Sequence, residues 1–114
     1  MPRQLLAALA LTAMGSTSAL AQTQEQKNVM QHVAVLYIAD KWCSEYSVDL
    51  RNINRAASSL NIKPDRAPFT SFIKAEMGKT EEALSDAGTK EGCNVIFGLY
   101  GPKGSAVSGQ MMRK

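Results

Sequence analysis

The sequence is short of the groups from which active sites are built. It holds one histidine, His32, one tryptophan, Trp42, and two cysteines, Cys43 and Cys93. A lone histidine on a helix surface is ordinarily a packed or solvated side chain rather than a ligand, so no metal site is expected. A reactive thiol wants a helix N-terminus, a Cys-x-x-Cys partner or a nearby histidine. Neither cysteine has a Cys-x-x-Cys partner, and His32 lies eleven residues from Cys43. The serines have no base in reach, which excludes a nucleophilic triad. "GLYGPKGS", residues 98–105, lacks the GxxxxGK[ST] spacing of a phosphate loop and is not followed by a helix. The acidic residues are scattered, and a chain this small offers little room for a cleft holding two carboxylates ~5 to 9.5 Å apart. Of the six methionines, only Met111-Met112 forms an exposed soft pair, and without His or Cys beside it this is a weak Cu(I) site. No catalytic residue and no cofactor is expected.

Strong charge of one sign is missing as well. The longest basic cluster is Arg113-Lys114, far short of the stripe of Lys and Arg that neutralises several phosphates, so no nucleic-acid partner is expected. Long apolar runs are also absent. The one candidate, Leu5 to Met14, is about ten residues, too short to span a ~30 Å hydrocarbon core.

That short run has a different meaning in context. Arg3 precedes it as a positive n-region, and Ala19-Leu20-Ala21 follows as a small-x-small cleavage signal. Residues 1–21 therefore read as a signal peptide cleaved before Gln22, with no cysteine there to carry a lipid. The mature chain would be about 93 residues, without a membrane anchor, and exported to the periplasm or secreted. Removing Arg3 from the 13 Lys and Arg leaves 12 against 10 Asp and Glu, a mixed surface of net charge about +2.

An even pair of cysteines in an oxidising compartment reads as a disulfide, and two cysteines allow one pairing, Cys43–Cys93. A chain of this size buries only about 60 to 65% of its unfolded surface, so a crosslink closing about 50 residues weighs heavily in its stability.

The spacing of apolar residues places both cysteines on helices. Ala39, Cys43, Tyr46, Leu50, Ile53, Ala57 and Leu60 recur at intervals of four and three, and the denser "VAVLYIA" upstream predicts fuller burial. Ser44 to Val48, followed by Asp49, weakens this long pattern and predicts a break or kink. "NIKPDRAP", residues 61–68, is a loop whose Pro68 suits the start of a new helix. Phe69, Phe72, Ile73 and Met77 form its apolar face. Gly78 is expected to end or bend that helix, with Thr80 capping another. Cys93, Ile96, Phe97 and Tyr100 fall at i, i+3, i+4 and i+7 on a last helix, although the composition of "CNVIFGLY" also suits a strand.

The expected fold is thus all-α: a bundle of three to four helices over residues 22–100, stapled by one disulfide. The Gly-rich residues 101–114 are expected as a flexible tail or a short strand on the surface. Such a protein works by binding rather than catalysis, with an unidentified protein partner. Aromatic anchors dominate interfaces, so Tyr37, Trp42, Tyr46, Phe69 and Tyr100 are the candidate contact residues wherever they are exposed.

An export signal, a short helical mature chain, "KWCSEY" and a second cysteine fifty residues on together resemble the plan of the HdeA-type periplasmic acid-stress chaperones. The Gly-rich segment after Cys93 departs from it. The resemblance implies a chaperone that exposes apolar surface when carboxylates are protonated, while the disulfide limits unfolding. A secreted effector acting on a host or competitor protein is the other alternative.

Overall fold

The computed structural model describes residues 22–114, and the signal peptide expected over residues 1–21 lies outside the described residues. The first helix, α1, spans Gln24–Trp42 and starts from a reciprocal cap. The Thr23 Oγ1 accepts the Gln26 N–H at 3.0 Å, and the Gln26 Oε1 accepts the Thr23 N–H at 3.0 Å, so two donors left open at a helix start are satisfied. Met30, Val33, Ala34, Leu36, Ile38 and Ala39 are all buried, which places α1 at the centre with other elements on several sides.

The chain breaks where the pattern weakens, but it forms a strand there rather than a kink. Strand β1, Tyr46–Val48, follows the turn after Cys43, and α2 then runs Leu50–Ser59. Asp49 does more than weaken a helix: its Oδ1 accepts the N–H groups of Arg51 at 3.1 Å and Asn52 at 3.3 Å and so caps α2. The spacing that placed Cys43 and Tyr46 with Ile53 and Ala57 is nonetheless a spacing of core residues, since all four are buried. Asn61, with φ 60°, stops α2 in the left-handed conformation that Asn tolerates.

Helix α3 spans Phe69–Ala87, directly after a cis Ala67–Pro68 bond, and α4 spans Thr89–Tyr100. The expected end at Gly78 is corrected, because α3 runs through it. Thr80 caps nothing and instead donates from Oγ1 to the Glu76 carbonyl at 2.9 Å. The break falls at Gly88, whose φ of 87° and ψ of 137° are open to glycine and strained for any other residue. The two glycines should therefore respond in opposite ways in thermal melts. Gly78→Ala meets open space in a helix interior and should raise stability by about 0.5–1 kcal/mol, whereas Gly88→Ala should lower it by about 1–3 kcal/mol.

Four helices and one disulfide, Cys43–Cys93, make up most of the described chain. The sulfurs are 2.05 Å apart and the Cα atoms 5.6 Å apart, joining the end of α1 to the first half of α4. "CNVIFGLY" is helical throughout; Cys93, Ile96 and Tyr100 lie in the core, which their spacing on one helical face favours over a strand.

Of the two expectations for residues 101–114, a flexible tail or a short strand, the strand is the one that forms, at Met111–Arg113. After Tyr100 the chain doubles back, and the N–H of Gln110 donates to the carbonyl of Tyr100 at 2.8 Å. Strand β2, Met111–Arg113, then pairs antiparallel with β1, Val48 opposite Met111 and Tyr46 opposite Arg113. Gln110 and Met111 are buried, and the Arg113 guanidinium lies 4.9 Å from the centre of the Phe97 ring. One glycine here serves close approach rather than mobility: a Cβ at Gly104 would collide with the Leu99 carbonyl.

Candidate functional site

Helix α4 carries two apolar stripes. Cys93, Ile96 and Tyr100 turn into the core, while Val95 and Leu99, four residues apart, turn outward and are 63% and 37% exposed. Two facing helices complete a groove on that outer side. Helix α3 contributes Ala83 and Leu84, and α1 contributes His32 and Val35. The groove encloses about 480 Å³, and its floor includes the buried Leu84 and Ile96.

Polar groups enter this groove at few points. The His32 Nδ1 and the Tyr100 Oη are 2.7 Å apart, and the two rings meet edge to face with centroids at 5.5 Å. Burial alone sets the proton affinities of both groups, because removing either from water disfavours its charged form. It holds His32 below its ordinary 6.5 and pushes the Tyr100 phenol up to about 12. Nearer the rim, the Gln31 Nε2 donates to the Glu76 Oε1 at 3.1 Å, and the Lys79 Nζ lies 3.4 Å from the Glu76 Oε2. The result is an apolar trough with one aromatic polar couple and one matched ion pair.

The five aromatic candidates separate by burial. Tyr46 and Tyr100 belong to the core: Tyr46 stacks on Phe97 with centroids 4.7 Å apart and donates from Oη to the Asn94 Oδ1 at 2.7 Å. Tyr37 is half-buried and donates to the Asn54 Oδ1 at 2.8 Å, and Phe69 is half-buried against the core. Trp42 alone is open, at 47% exposed. Its Nε1 donates to the Glu81 Oε2 at 3.0 Å, and it lies beside Leu84, at the α3 side of the groove.

Val95 and Leu99 are groove residues absent from the sequence-based candidates, and His32, weighed there only as a metal ligand or a thiol's neighbour, joins them. The signal was present in "GCNVIFGL", where Gly92, Val95 and Leu99 also keep a helical spacing, but the stronger stripe through Cys93 concealed it. Among the described residues, no group of three or more His, Cys, Asp or Glu side chains comes together to hold a metal ion, and no helix is long and apolar enough to cross a membrane. Comparison of the chain with protein-family models, curated proteins and solved structures gives no match.

Proposed function

We propose that the protein is a small exported, non-enzymatic binding protein that takes the apolar face of a helical segment of a partner protein into the groove between α1, α3 and α4. The observation that carries this reading is the exposure of Val95 and Leu99 on a helix whose other face is pinned in the core. Large apolar side chains left in water beside a concave apolar floor are the common form of a binding site. Their four-residue spacing matches the anchors of an amphipathic helix laid in a groove. Tyr46 and Tyr100 support the site from within, and Trp42 extends it at one side. The partner can belong to the envelope, or to a host or competitor if the protein is released.

The test uses a double variant, Val95→Glu/Leu99→Glu, which puts two charges in the groove without touching the core. The expected result is at least a tenfold loss of affinity for a partner that the wild type captures, with the helical circular-dichroism signal unchanged. Lys63→Glu, at an exposed site away from the groove, should bind that partner as the wild type does. Equal capture by the double variant and the wild type would overturn the groove as the site. Suppression of client aggregation only at about pH 2 to 4, with no partner captured at neutral pH, would favour the acid-stress chaperone reading instead.

A further inference from the structure

We propose that the protein has a second site, built where β1 passes into α2 and β2 begins, that binds a small apolar α-amino acid as its zwitterion. The site shares no lining residue with the groove, so the inference is independent of the partner proposed there.

The register of the ribbon builds the site. Ser47 faces Met112, and two residues further on the Asp49 N–H donates to the Gln110 carbonyl at 2.8 Å, so the ladder continues to an Asp49–Gln110 pair. Side chains alternate across a ribbon, which puts Ser47, Asp49, Gln110 and Met112 on one face, with Asp49 and Gln110 as cross-strand neighbours. All four line a pocket of about 470 Å³, and Val48, Leu50 and Arg51 extend its wall. That volume suits a small organic molecule and is far more than a bare ion fills.

Gln110 gives the pocket its polarity. It is 8% exposed, and its Oε1 is buried with no hydrogen-bond partner among the described residues. Buried polar atoms in folded proteins almost all have a partner, so this oxygen marks a place for a donor. The Gln110 Nε2 donates to the Ser108 carbonyl at 3.0 Å, which fixes the arm of the carboxamide that carries the oxygen. Ser108 lies outside the pocket wall, so Oε1 is the arm on the pocket side. Asp49 adds a second acceptor. Its Oδ1 takes the N–H groups of Arg51 and Asn52, and its Oδ2 makes no hydrogen bond among the described residues. Two oxygen acceptors side by side, one of them charged, call for an ammonium group.

The opposite charge stands next to them. The Arg51 Nε is 3.9 Å from the Asp49 Oδ1, and its side chain, 91% exposed, is able to turn onto a ligand. Arg51 also lies in the first turn of α2, where the helix dipole favours negative charge. A carboxylate and a guanidinium at this spacing match an α-amino acid, which bears its ammonium and its carboxylate on one carbon. Val48, Leu50 and Met112 supply an apolar wall for its side chain. Met112, 52% exposed and unbranched, is the part of that wall best able to move aside and admit the ammonium to Oε1.

The probe is L-leucine, followed through the backbone amide signals of the protein by NMR. Millimolar L-leucine should shift the signals of residues 47–51 and 109–112 saturably and leave those of the groove residues Ala83, Val95 and Leu99 in place. Isopentylamine, which lacks the carboxylate, and isocaproate, which lacks the ammonium, should each bind at least tenfold more weakly. Asp49→Asn, which keeps the helix cap, and Gln110→Met, which keeps the length of the side chain, should each weaken L-leucine binding at least tenfold. Saturating L-leucine should raise the melting temperature of the wild type and of neither variant. No saturable shift, either analogue binding as tightly as L-leucine, or unchanged binding in either variant would overturn the site. Calcium chloride producing these shifts where L-leucine produces none would overturn it as well, in favour of a cation site. Should Gln110→Met fail to fold, Asp49→Asn and the two analogues still decide.

Discussion

Replacing Cys43 by serine lowers the melting temperature of the oxidised protein by roughly 15–30 °C. The bridge spans 50 residues of sequence, and the entropy of closing such a loop in the unfolded chain corresponds to about 4 kcal/mol. For a domain of this length, each kcal/mol moves the melting point by about 4–8 °C. Both sulfurs are buried, so the serine hydroxyl also enters an apolar setting, which adds to the loss. Thermal melts of the wild type and variant measure the effect, and mass spectrometry under non-reducing conditions establishes its premise. The intact protein should be lighter than the reduced chain by two hydrogens. Two free thiols in the protein as purified without reductant, or a shift of only a few degrees, would sink this account.

Met111→Ala should cost about 2–5 kcal/mol, as large a loss as one expects from emptying a core site. Met111 is wholly buried although it follows a Gly-rich segment and lies three residues before Lys114. Its neighbour Met112 is 52% exposed and opposes Ser47 in the β1–β2 ribbon, so Met112→Ala should change stability by no more than about 0.5 kcal/mol. The alternation of one buried and one exposed methionine is the signature of a paired strand. Denaturant midpoints of the two variants measure the contrast. Equal, small effects would mean that residues 101–114 contribute nothing to the core.

Much of the helical framework was legible along the chain because a helix writes its buried face into neighbouring residues. Phe69, Ile73 and Met77 announce α3, and Cys93, Ile96 and Tyr100 announce the inner face of α4, without any knowledge of what they pack against. Local rules failed where a local signal had two uses. Gly78 and Gly88 look alike in sequence, yet only Gly88 breaks the chain, because only there does the backbone take a positive φ. Asp49 weakens one helix by ending it and starts the next by capping it. The glycines after Tyr100 suggested mobility, whereas Gly104 permits a close approach to the Leu99 carbonyl.

The groove was hidden for a related reason. Periodicity shows that Val95 and Leu99 share a face, but whether that face is covered depends on where α3 and α1 end up. The five aromatic candidates show the same limit: their interface role was conditional on exposure, and exposure is a property of the assembled helices. Tyr46 and Tyr100 are taken by the core, and Trp42 remains in water.

By itself, the sequence determined the mostly helical character, the inner faces of the helices and the pairing of Cys43 with Cys93. These follow from spacings of three and four residues and from a cysteine count with one solution, both readable without a partner in space. Only the tertiary structure decided that β2 returns to β1, that α4 keeps an exposed stripe beside a trough, and that His32 meets Tyr100. The last two residues are 68 positions apart. Contacts of that range are set by how whole elements pack, since the same local pattern is satisfied by many arrangements and only one of them buries Met111 while leaving Val95 in water.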